Sequence, residues 1–259
     1  MLAISVLVTV LAVLGGMIWL IARQEARQSK AVTVPQDASG GQRLGPSMSW
    51  LAVGTDDVNR LISTLGLIDV QRCTWNSGVD AIYKGRKSDK TVFITAPAHG
   101  WVLVSGVSLP QPLGAGFVDK TTPFLLELSE AFGEVQYFAT FPQFDHYAWF
   151  KVVNGRVVRA FATGDEGEIC NKGRVTAAEQ VLGLKFFELR GVDDRAGDAG
   201  GAMMLSPTEI QVLNLAARWS IDPTGAAGHI DQSDNAACFV GTSPYAWRSE
   251  RRVAKNRAA

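Results

Sequence analysis

The chain has 259 residues, with 25 basic and 25 acidic side chains, so no global field draws it to nucleic acid and no such partner is expected. Hydrophobic residues make up 47% and tryptophans number seven, which predicts a well-packed core. Three cysteines, Cys73, Cys170 and Cys238, are odd in number and widely spaced. They suggest neither a disulfide framework nor a metal knuckle, and read as buried thiols in a reducing cytoplasm.

Residues 1–22 read as a transmembrane anchor. Leu2 to Ala22 carries no charge, and its hydroxyls, Ser5 and Thr9, can bond back to helix carbonyls. Roughly 20 apolar residues at 1.5 Å rise span a hydrocarbon core of about 30 Å. A cleaved signal peptide would have a basic start, a shorter apolar run and a small-residue cleavage site. Here the basic residues follow the run, as Arg23, Arg27 and Lys30, and Trp19 stands near its end as an interfacial aromatic. The positive-inside rule then puts the amino terminus outside and the rest in the cytoplasm, as a single-pass protein. The inverted topology, with the domain in the periplasm, is the alternative. Adjacent Gly15 and Gly16 lack the spacing of a helix-packing motif and read as lipid-facing.

Residues 23–49, rich in Gln, Gly, Pro and Ser, are expected to form a flexible linker reaching on the order of 30 Å. An α+β globular domain is expected over 50–224. Thr55 with Asp56 and Asp57 opens a helix through Val58, Leu61, Ile62 and Leu65, stopped by Gly66. Val79 to Tyr83 alternates and is read as a strand. Thr91 to Thr95 and Trp101 to Val104 follow as strands, separated by a turn at Pro97 to Gly100. The basic loop of Lys84, Arg86, Lys87 and Lys90 reads as a solvated tip, with a contact to anionic lipid or an acidic partner as the alternative.

Thr122 and Pro123 start a second helix along Leu125, Leu128 and Phe132 to Gly133. Strands are expected at Val135 to Phe141, Tyr147 to Val153, Arg156 to Thr163 and Glu168 to Asn171. Asn154-Gly155 is the strongest hairpin signal, since both turn positions need positive φ. The order suggests a duplicated α-β-β-β unit in a mainly antiparallel sheet with packed helices. A short helix over Ala177 to Leu182 and a helix capped at Ser206 and running to Ser220 complete the domain. Residues 225–259 read as a weakly ordered tail. Its basic residues, Arg248, Arg251, Arg252, Lys255 and Arg257, suit either solvent or anionic lipid, at about 1 kcal/mol per charge near such a surface.

Chemistry is sparse. No second histidine or cysteine lies at ligand spacing from His99, His146 or His229, so neither a metal nor a cofactor is expected. The acidic turn Asp165 to Glu168 lacks the alternating ligands of a calcium loop. Gly197, Gly200 and Gly201 lack a phosphate-loop context. An enzyme reading, hydrolase-like, would use Cys170 as nucleophile or His146 as base.

Aromatic density is more informative. Phe141, Phe144, Tyr147 and Trp149 crowd one hairpin region and are the candidate partner-binding residues if one sheet face is exposed. A sheet covered on both faces explains the same pattern. The blocks HGWVLVSG, FGEVQYFAT, HYAWFKVVNGRVVRAFA and RWSIDPT span most of Trp50 to Thr224. They resemble a family of bacterial α+β proteins with no assigned chemistry, so the resemblance supplies no catalytic residue. By analogy with small bacterial α+β proteins, the expectation is a membrane-anchored domain that binds a protein partner, of which an immunity-type inhibitor is the sharpest version.

Overall fold

The computed structural model describes residues 43–165, 167–184, 207–225, 230–233 and 236–252. The expected anchor, with Trp19, Arg23, Arg27 and Lys30, lies outside the described residues, as do His229 and the glycine-rich run 193–202. Among the described residues, no helix is long and apolar enough to cross a membrane.

The domain is α+β, built on one nine-stranded sheet in which every pairing is antiparallel. The strands are β1 (Ser49–Gly54), β2 (Ile68–Cys73), β3 (Thr91–Ile94), β4 (Trp101–Ser105), β5 (Glu134–Phe141), β6 (His146–Val153), β7 (Arg156–Gly164), β8 (Gly167–Gly173) and β9 (Cys238–Thr242). Their spatial order is β2-β9-β3-β4-β1-β5-β6-β7-β8. The helices are α1 (Val58–Leu65), α2 (Trp75–Tyr83), α3 (Thr121–Phe132), α4 (Ala177–Val181) and α5 (Glu209–Trp219).

Alternation along the strands divides the core in two. One face presents Trp50, Phe93, Phe138, Trp149 and Phe161 to α2, α4 and α5. The opposite face presents Leu51, Val104, Tyr137, Phe150 and Ala160 to α1 and α3. Because both faces are covered, central strands such as β3 read as continuous apolar runs rather than polar–apolar alternation.

Local signals produced several elements as expected. Gly66 takes the left-handed conformation at φ 62° and closes α1. Asn154 and Gly155 have φ of 47° and 70° and join β6 to β7. The caps are displaced by a residue or more. Asp57, not Thr55, caps α1 and accepts from the Arg60 amide at 2.9 Å; α3 starts after Lys120 without a side-chain cap bond, and Asp119, one residue earlier, accepts from the Thr122 amide at 2.9 Å. Thr208 with Gln211 forms the box that opens α5.

Four expectations need correction. Val79–Tyr83 belongs to helix α2, not a strand. Thr74 caps it through the Ser77 amide, and Trp75, Val79 and Ile82 recur at helical spacing towards the core. Gly78 sits where a Cβ would overlap the Phe93 ring, so helix and sheet touch there. The duplicated α-β-β-β unit therefore fails: the first half runs α-β-α-β-β, and its β2 and β3 are separated by β9. The linker does not extend to Ser49, because Leu44 and Met48 are buried in the core and the Pro46 carbonyl accepts from Tyr83 Oη at 2.6 Å. Finally, the tail contains β9, an interior strand, and a segment that packs Trp247 against Phe124 at 5.1 Å.

Candidate functional site

The loop of residues 106–120 crosses the α1/α3 face beside α3, and both of its ends are tied down. Gln111 does this on one side. Its Nε2 donates to Ser49 Oγ at 2.9 Å, and its Oε1 accepts from Tyr137 Oη at 2.8 Å. Ser49 Oγ in turn donates to the Gly106 carbonyl at 2.7 Å. Burial pushes the Tyr137 phenol well above its ordinary value, so it remains a donor. At the other end, the Val118 amide donates to the Glu250 carbonyl at 2.8 Å and the Arg252 amide to the Gly116 carbonyl at 2.9 Å. Lys120 Nζ lies 2.6 Å from Glu250 Oε1.

Between these ties the loop bridges a two-chambered cleft over β6, β7 and β8. The chambers hold about 240 and 450 Å³ and share Leu113, Gly114, Ala115, Phe117 and Ile169 as walls. Cys170, Asp119, Lys172 and Arg252 line the smaller one. Phe144, His146, Gln111 and Asp165 line the larger.

The histidine and cysteine occupy different chambers. Ala148, Ala162 and Cys170 stand in register across β6, β7 and β8. His146 begins β6, two residues before Ala148, which puts it about 12 Å from Cys170 by strand spacing and rise. Proton transfer between them is therefore out of reach. Burial pushes the Cys170 thiol up to about 11, against the opposing effect of Lys172, so it is protonated at neutral pH. Burial lowers the His146 imidazole below its ordinary value, while a bond to the Thr163 carbonyl works the other way. His146 Nε2 is buried with no hydrogen-bond partner, and the ring lies 6.0 Å from Phe141. Among the described residues that line the larger chamber, this Nε2 is the one buried side-chain nitrogen or oxygen left without a partner.

The four candidate contact residues separate. Phe144, in the 3-10 turn Pro142–Phe144, is 65% exposed at the lip of the larger chamber. Phe141 is half-buried against the α1/α3 core. Tyr147 is 6% exposed and Trp149 wholly buried, both on the other face of the sheet. Trp149 stacks on Phe161 at 4.4 Å. Neither of these two residues can present a surface from that position, because strand alternation turns them away from the cleft.

What holds Trp149 was not legible in the sequence. Its indole N–H donates to Glu179 Oε1 at 2.7 Å, and Arg159 Nε donates to the same oxygen at 2.8 Å. Arg159 Nη1 reaches Asn171 Oδ1 at 2.6 Å. Glu179 also accepts from the Thr176 amide at 2.7 Å, completing the box that starts α4. The Thr-x-x-Glu spacing was the available signal, but nothing local announces that its carboxylate is also half of a buried ion pair.

No protein-family model matches the chain, and no curated protein or solved structure matches it. Among the described residues, no group of three or more His, Cys, Asp or Glu is placed to hold a metal ion.

Proposed function

We propose that the protein is a membrane-anchored binding protein whose α+β domain holds a protein partner at the cleft beside Phe144. Leu2 to Ala22 fixes the chain in the bacterial inner membrane, with the domain on the cytoplasmic side, and the tether raises the local concentration of partner and domain. The observation that carries the reading is a large aromatic side chain, 65% exposed, at the lip of an open chamber of about 450 Å³. Such a residue offers an anchor that can leave water on binding, and the chamber beside it offers the partner a socket. The partner class is a protein with an apolar side chain to place there, and the sharpest version of the reading makes this domain an immunity-type inhibitor with a toxin as that partner. A hydrolase reading has less support, because the thiol of Cys170 and the imidazole of His146 lie apart and neither activates the other.

The test uses the full chain in native membranes. The wild-type protein resists alkaline extraction, and a chain lacking residues 2–22 does not. Phe144→Ala stays in the membrane and keeps its fold but loses the partner that the wild type retains. Extraction of the full chain by alkali, or equal partner retention by Phe144→Ala, would overturn the proposal.

A further inference from the structure

We propose that Cys73 and Cys238, free thiols in the structure, are an oxidation site: a low-molecular-weight disulfide converts them to a cross-strand disulfide that staples the late strand β9 to the edge strand β2 when the reducing poise of the cytoplasm is lost. The two residues are 165 positions apart in sequence, by direct subtraction, yet they are direct partners in the antiparallel ladder. Directly opposed residues in such a ladder have Cα atoms about 4.5 or 5.5 Å apart, and both separations fall within the range a disulfide bridges. Both side chains belong to the same face, packed in the core beneath α2, so they point the same way.

Access is graded. Cys73 is half-buried and Cys238 buried, which makes Cys73 the first sulfur a reagent meets. The oxidant is a low-molecular-weight disulfide such as oxidised glutathione. The Cys73 thiolate attacks one sulfur of that disulfide, forming a mixed disulfide and expelling one thiolate. The Cys238 thiolate then attacks Cys73 Sγ and expels the second. Two protein thiols lose two electrons and two protons, and the reagent's disulfide is reduced to two thiols.

Burial pushes Cys73 up to about 12, with Cys238 adding to it, and Cys238 to about 11. Both are thiols at neutral pH, so exchange is slow there and quickens as the pH rises. The third cysteine does not compete. Cys170 lies on β8, at the opposite edge of the sheet and on its other face, on the order of 35 Å away by strand spacing.

The experiment treats the full-length protein in detergent with oxidised glutathione at alkaline pH. The protein is then denatured, its remaining thiols are alkylated, and its peptides are mapped without reduction. The expected result is loss of two of the three thiols, a mass about 2 Da lower before alkylation and one linked peptide joining Cys73 to Cys238. Under the same treatment Cys73→Ser keeps Cys238 free of any internal bridge. Three alkylated cysteines after oxidation would overturn the proposal. So would a stable glutathione adduct on Cys73 without a bridge, or a bridge that includes Cys170.

Discussion

The two faces of the sheet are covered by different means, and the contrast separates what holds the fold from what is offered to a partner. Beneath α2, α4 and α5, large aromatics interlock and an ion pair with side-chain exposures of 2% and 0% is sealed in. Beneath α1 and α3, regular helices cover only part of the face, and the irregular loop 106–120 bridges the rest over an open cleft. Helices close a surface along a whole stripe. A glycine- and proline-rich loop leaves gaps between its ties, and binding sites collect in such gaps.

The largest expected effects lie on the closed face. Trp149→Ala removes a wholly buried ring and is expected to cost about 3–5 kcal/mol, read as a lowered urea midpoint. Glu179→Ala leaves Arg159 buried without its carboxylate and is expected to cost a similar 3–5 kcal/mol. A loss below about 1 kcal/mol in either would show that this face is not the mechanical half of the molecule.

Gln111→Ala is the intermediate case. It deprives Tyr137 Oη of its acceptor and Ser49 Oγ of its donor, at about 1–3 kcal/mol. It is also expected to speed amide exchange over residues 112–117, with β6 and β7 unchanged. Uniform acceleration across the sheet would mean that the loop is not an independent cover.

The same contrast explains which parts of the fold could be read ahead of the structure. Helix α1 with its Gly66 stop and the Asn154-Gly155 turn are set by neighbours in sequence, so pattern alone revealed them. Val79–Tyr83 alternates because its apolar side chains meet a core, and five residues do not separate a strand from part of a helix. β9 is five residues long amid small and polar sequence, and only the long-range pairing with β2 and β3 defines it. At the candidate site, the aromatic cluster was visible, but the sheet face to which each ring belongs depends on register. Phe144 escapes that rule because it sits in a turn. The cleft itself went unseen, since the loop that roofs it has no periodicity to detect.

A pH series gives a smaller effect. Folding holds the His146 imidazole below its ordinary 6.5, so in falling pH the unfolded chain takes up this proton first. The contribution is complete above about 6.5, declines as the pH falls from there, and levels off once the folded form is protonated too. His146→Gln is expected to flatten the decline that sets in as the pH falls below about 6.5. An unchanged slope would place the titration elsewhere. Phe144→Ala is expected to shift stability least, within about 0.5 kcal/mol, while abolishing partner retention.

The most direct measurement places a photo-crosslinking side chain at position 144, and separately at position 181, in the full chain in native membranes. Phe144 and Val181 are both well exposed, at 65% and 69%, but Val181 lies on α4, over the closed face. The account predicts one discrete adduct from position 144 and none from position 181. Equal adducts from both positions, or none from 144, would contradict it.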